Sequence, residues 1–200
     1  DTAMHGLVDA AHVDHLHPDS GIAFATAKDG KALTKKAFGD KVVWVDWRRP
    51  GFQLGLDIAA IKAANPTAIG CILGGHGITA WGATSQEAEK NSLWIIETAE
   101  DYIAAKGRRA PFGPVVKKSA ALPVAERRAK AAALAATIRG IASHDRPMVG
   151  HFTDSDVVLD FLASKNAPRL AGLGTSCPDH FLRTKIAPLT LDPARLTDEA

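Results

Sequence analysis

The pair His15-Leu16-His17, followed much later by Gly74-Gly75-His76-Gly77, constrains this chain more than any other feature. Residues 13–17 read as a short strand, and on a strand residues i and i+2 project to the same face. His15 and His17 therefore point the same way, at a spacing that lets both rings reach one ion. His12 and Asp14 fall on the opposite face, which makes His12 the odd one out. The third imidazole, His76, follows an apolar run and is flanked by glycines that let the backbone turn tightly. Four of the eight histidines lie in the stretch 12–19 and at the 74–77 turn, which suggests that the segments meet in space. Zinc takes neutral imidazole nitrogens at about 2.0–2.1 Å, and three protein ligands with one open position is the catalytic pattern. A structural zinc needs a fourth closing ligand, usually Cys, and neither Cys71 nor Cys177 has a suitable partner spacing.

The motif Asp14-His15-Leu16-His17-Pro18, with Gly74-Gly75-His76-Gly77 and then Trp81-Gly82, resembles the class II aldolase/adducin family. Three further runs are similar to one branch, the bifunctional rhamnulose-1-phosphate aldolase/short-chain dehydrogenases. They are His12-Val13-Asp14-His15, Arg49-Pro50-Gly51-Phe52, and Gly174-Thr175-Ser176-Cys177-Pro178-Asp179-His180-Phe181-Leu182-Arg183-Thr184-Lys185. The resemblance implies an α/β fold, a three-layer αβα sandwich with a central, mainly antiparallel sheet. It also implies a tetramer in which His15, His17 and His76 hold zinc or another divalent metal. Family aldolases carry a Glu upstream of the histidine pair as acid/base. Matching that motif to Asp1-Thr2-Ala3-Met4-His5 places Asp1 there, one methylene shorter. Gly75 stands where the aldolases usually have Asn, which removes a side-chain hydrogen bond but no ligand. The implied reaction is cleavage of L-rhamnulose 1-phosphate to dihydroxyacetone phosphate and L-lactaldehyde. Branch members are several times longer, so the chain is expected to be a fragment. Its phosphate-binding Gly, Ser and Thr residues would lie upstream of Asp1.

Composition excludes several other classes. The 200 residues carry a net charge of +2 with both signs interspersed, so no basic block invites nucleic acid. No apolar run approaches a membrane span. Two cysteines alone argue against a disulfide framework and fit a reducing cytoplasm. The start has no signal sequence and no Met, consistent with processing or truncation.

In chain order, the pattern predicts a loop or short helix over residues 1–12 and a helix over 18–28, with Asp19 and Ser20 as capping residues. Asp19 could instead orient a metal-bound histidine. A short helix follows over 31–38, then a strand over 42–47 broken by Arg48-Arg49-Pro50-Gly51. Those arginines could meet a phosphate or form a solvated pair at a turn. Helical spacing from Phe52 stops at Asn65-Pro66. Residues 68–73 form a buried apolar strand holding Cys71 as a core residue, and 78–81 return antiparallel to it. Thr84-Ser85-Gln86-Glu87 has the capping-box pattern, opening a helix to about Lys106.

The broken, polar stretch 111–122 reads as a linker between a metal-binding core, 1–110, and a mainly helical extension, 123–200. The extension should contain a helix over 123–141, a short strand over 147–152, a helix capped by Asp154 and running through Leu162, and a tail from Ala167 that is mostly loop. Cys177-Pro178-Asp179-His180 has no second pair to complete a metal site. Gly172-Leu173-Gly174 lacks the flanking strand and helix of a nucleotide fingerprint. The leading reading is thus a metal-dependent aldolase acting on a small sugar phosphate. A sugar-phosphate epimerase or a zinc hydrolase could use the same ligands, whereas a non-catalytic adducin-like interaction module would lack the histidines.

Overall fold

The structure, a computed structural model, describes residues 2–116, 121–177 and 185–190. The chain divides into one unit of Asp1–Arg108 with Gly174–Ala187, and a second of Arg109–Leu173 with Pro188–Ala200.

The first unit is built on a four-stranded sheet. Its strands are β1 (His12–Leu16), β2 (Val42–Val45), β3 (Gly70–Leu73) and β4 (Gly77–Gly82), in the spatial order β1-β4-β3-β2. Both β1–β4 and β4–β3 pair antiparallel, and only β3–β2 is parallel, which is the mainly antiparallel sheet expected. Five helices accompany it: α1 (Thr2–Leu7), α2 (Asp19–Thr26), α3 (Gly30–Phe38), α4 (Phe52–Ala64) and α5 (Ser85–Lys106).

Period-two alternation sorts the strand side chains into two cores. Cys71, Leu73, Val45 and Trp81 face one side, where they pack with Met4 and Val8 at α1 and with Leu54 and Ile58 of α4. Val42, Ile72, Ile78 and Ala80 face the other, against Phe24 and Ala25 of α2, Phe38 of α3, and Ile95 and Ala99 of α5. A sheet coated on both faces is the three-layer αβα sandwich. Ile58, Ile72, Ile78 and Ile95 are wholly buried, each stabilising the fold by roughly 1.5–3 kcal/mol before entropic costs. Trp94 and Tyr102 pack against the second core, as expected of residues under the sheet.

Local signals mostly hold. Thr84 caps α5, its hydroxyl accepting from the Glu87 N–H at 3.1 Å. The Glu87 carboxylate accepts from the Ala83 N–H at 2.8 Å, one residue before the position a capping box would use. Asp19 does not cap α2. Pro18 holds the N-cap position with φ −70° and ψ 144°, which leaves Asp19 in the first turn, where the helix dipole favours an acid.

In the second unit the helices are α6 (Val124–Ala142), α7 (Asp156–Ala163) and α8 (Ala167–Ala171). A bridge between Val115 and Ser164 and edge-on packing of Phe112 on Phe161 join its segments. Two expectations change here. Residues 147–152 form no strand: the Met148 N–H and carbonyl are taken by the Ser143 hydroxyl and the Arg139 side chain instead of a neighbouring strand, and Val149 is 93% exposed. Ser155, not Asp154, is the N-cap of α7, because the Asp154 carboxylate is engaged by Arg127 at 2.9 Å. The tail from Ala167, expected to be mostly loop, opens with the short helix α8. Among the described residues no helix is long and apolar enough to cross a membrane.

Candidate metal centre

Antiparallel pairing of β1 with β4 sets His15 opposite Thr79 and Leu16 opposite Ile78. One step further, His17 lies just beyond the end of β1, beside Gly77 and the β3–β4 turn that carries His76. That turn is pinned on both sides: Gly74 N–H donates to the Val45 carbonyl at 2.9 Å and Gly75 N–H to the Ala25 carbonyl at 2.7 Å. Two glycines make it possible. Gly75 sits at φ +67°, where an L side chain is strained. A Cβ on Gly77 would lie 2.5 Å from the His17 ring and 2.6 Å from the Leu16 carbonyl oxygen.

The result is a convergence of three imidazoles. His15 Nε2 lies 3.1 Å from His76 Nε2 and 3.1 Å from His17 Nε2. Ring centroids are 4.8–5.0 Å apart, and His15 stands edge-on to both partners. The three candidate ligand atoms all lie within 4.8 Å of one another. Tetrahedral zinc with bonds of about 2.0–2.1 Å would place its nitrogens roughly 3.3–3.4 Å apart. The observed 3.1 Å between pairs of Nε2 atoms is within a few tenths of that.

His15 is the best-supported member. Its Nδ1 is 2.9 Å from the Ile78 carbonyl oxygen, so Nδ1 carries the proton and Nε2 presents a lone pair to the other two rings. Thr79 Oγ1 lies 3.3 Å from the same Nδ1 and donates to the sulfur of Met4 at 3.2 Å, tying α1 to the site. Burial lowers the His15 pKa to about 4, partly opposed by the Ile78 hydrogen bond and reinforced by the neighbouring His17 and His5. The ring is therefore neutral at neutral pH, the form that binds a metal. Three imidazoles with one ring held in the ligand tautomer suit a divalent cation of the zinc type.

His12 is exposed, on the strand face it shares with Asp14, whose carboxylate accepts from Ser92 of α5 at 3.0 Å. Cys177 is buried and is not among the three clustered residues. Cys71 lies in the core, where burial raises its thiol to about 12. Asp1, the expected acid/base, and His180 lie outside the described residues. The Ile78 carbonyl, Thr79 and Met4 were not anticipated from sequence. Thr79 is recognisable as a neighbour of His15 only once the β1–β4 register is known.

Residues 1–103 match the class II aldolase and adducin N-terminal domain, and residues 129–200 match the second domain of class II aldolases. The chain belongs to the class II aldolase and adducin family. A Bacillus subtilis (strain 168) protein described as an uncharacterized oxidoreductase, YuxG, is 37% identical over 193 residues, covering 96% of this chain and 28% of that protein. The chain thus spans little more than a quarter of that relative. Among solved structures, the N-terminal class II aldolase domain of a conserved Thermoplasma acidophilum protein is 25% identical with a TM-score of 0.45, covering 51% of this chain and 46% of the other. YgbL of Klebsiella pneumoniae, described as a putative aldolase/epimerase/decarboxylase, is 21% identical with a TM-score of 0.41, covering 54% and 55%. An aldolase II superfamily protein of Pseudomonas syringae is 23% identical with a TM-score of 0.42, covering 72% and 56%.

Proposed function

We propose that this chain is the metal-binding part of an aldolase that cleaves L-rhamnulose 1-phosphate to dihydroxyacetone phosphate and L-lactaldehyde. The convergence of the His15, His17 and His76 Nε2 atoms supports this reading most directly. These side chains would hold one divalent cation, with zinc favoured by the all-imidazole donor set. When bound, the cation supplies Lewis-acid stabilisation for the enediolate charge that carbon–carbon cleavage leaves behind.

The chain's own residues do the rest. The Ile78 carbonyl holds His15 in one tautomer, and Thr79 braces that ring against α1. Asp1 is assigned the proton transfer at the substrate hydroxyl. Residues 1–110 form the aldolase core, 111–122 a linker and 123–200 a helical extension. The assembly is a cytoplasmic tetramer. Kinship with a far longer protein described as an oxidoreductase favours a parent that joins aldolase and dehydrogenase parts.

The test is product analysis on the zinc-loaded intact parent of this chain given L-rhamnulose 1-phosphate, with the chain alone expected to turn over poorly. Dihydroxyacetone phosphate and L-lactaldehyde should appear in equal amounts. Formation of an epimeric sugar phosphate alone would replace the aldolase with an epimerase on the same ligands.

A further inference from the structure

The loop between β2 and α4 carries a side chain that core packing does not account for. Trp81 is 5% exposed, whereas Trp47 is 71% exposed. Trp44 and Trp94 are both half-buried. Burial is the usual fate of so large an apolar group, and an open indole face has an energetic cost in water. Trp47 is nevertheless not loose. Its backbone runs beside the β3–β4 turn, with its nitrogen 3.1 Å from where a Cβ of Gly74 would stand. The indole edge lies over Gly75: a Cβ there would be 2.6 Å from Trp47 Cδ1 and 3.3 Å from Nε1. The glycine that replaces the family's usual Asn is thus the residue that lets this ring approach.

Gly75 immediately precedes His76, whose Nε2 is 3.1 Å from that of His15. One edge of the indole is therefore anchored on the turn that delivers a candidate metal ligand, while most of its face is open to solvent. Its N–H donates to no described residue. On the same loop the Arg48 guanidinium is paired with Asp57, itself bonded by Gln53. Arg49 of the same loop also makes no ion pair among the described residues, but it is Trp47 that lies against the metal turn, with a flat apolar face and a donor at its rim.

We infer that Trp47 is a substrate-positioning residue of the metal centre. It packs its face on the carbon chain of a ketose phosphate and donates its indole N–H to a substrate oxygen. This deepens the aldolase reading and rests on it. A carbon chain bearing hydroxyls and a phosphate is apolar along its C–H edges and rich in acceptors elsewhere, which suits an amphipathic ring. Loss of both the face and the donor should weaken binding about tenfold, and loss of the donor alone roughly threefold.

The experiment uses the zinc-loaded chain, dihydroxyacetone phosphate as probe, and two variants, Trp47→Ala and Trp47→Phe. Metal content should be the same in all three. The probe Kd from calorimetry should rise about tenfold in Trp47→Ala and roughly threefold in Trp47→Phe. Iodide quenching supplies a second readout, because Trp47 is the most exposed indole. The probe should shield wild-type fluorescence from iodide, and that protection should vanish in Trp47→Phe. Unchanged Kd in both variants would overturn the inference while leaving the aldolase reading intact. Unchanged Kd together with a lost oligomer in sedimentation would assign the ring to a subunit contact instead. Absence of probe binding to the wild-type chain would overturn this inference, while the aldolase reading is decided separately by product analysis of the parent protein.

Discussion

At Gly77 the sheet and the metal centre compete for the same space. The residue opens β4, yet its α-carbon faces both the His17 ring and the Leu16 carbonyl, leaving no room for a methyl group. In Gly77→Ala either the imidazole must swing away or the β1–β4 ladder must part. We expect zinc affinity to fall roughly 10- to 100-fold, as when the support of a ligand is lost. The thermal midpoint should drop by the equivalent of about 1–3 kcal/mol of overpacking. Zinc competition titration and calorimetric melting check both, and a variant with wild-type affinity would show that His17 does not depend on this approach. The residue-scale pattern was partly legible beforehand. A His-x-His pair on a strand needs only the two-residue repeat to predict a shared face, and glycines around His76 announce a tight turn. The Ile78 carbonyl, Thr79 and Met4 could not be read, because a backbone acceptor has no sequence signature and the other two depend on register.

Helix and strand boundaries followed physics of different range. α5 begins where Thr84 and Glu87 say it should, since capping is settled within one turn of chain. Thr84→Ala should therefore cost about 1 kcal/mol of stability with metal binding unchanged, measurable by urea melts of both proteins. A cost near zero would show that the Glu87 bond to Ala83 carries the helix start alone. The strand expected over 147–152 fails for the opposite reason. Its β-branched and aromatic residues fit a pleated surface, but a strand exists only beside a partner, and composition cannot supply one. Asp154 was read as a helix cap on local grounds and is instead drawn to Arg127, twenty-seven residues away. The continuous apolar runs of β2, β3 and β4, with a wholly buried β3 and β4, are what make the sandwich legible, because both faces of a central strand must be covered.

Over the whole molecule, two family domains account for most of the chain, and a relative of more than three times its length is similar over 96% of it. The site is assembled entirely within the first unit, from the end of β1 and the β3–β4 turn. Any metal chemistry in this chain therefore depends on whether those three histidines hold an ion. The direct measurement is zinc content by elemental analysis, together with the zinc-dependent melting shift, in wild-type chain and in His15→Ala/His76→Ala. Wild type should bind one zinc per chain and gain about 2.7 kcal/mol when free zinc stands at 100 times Kd. The double variant should bind none and show no shift. Full zinc occupancy and an undiminished shift in the double variant would contradict the assignment.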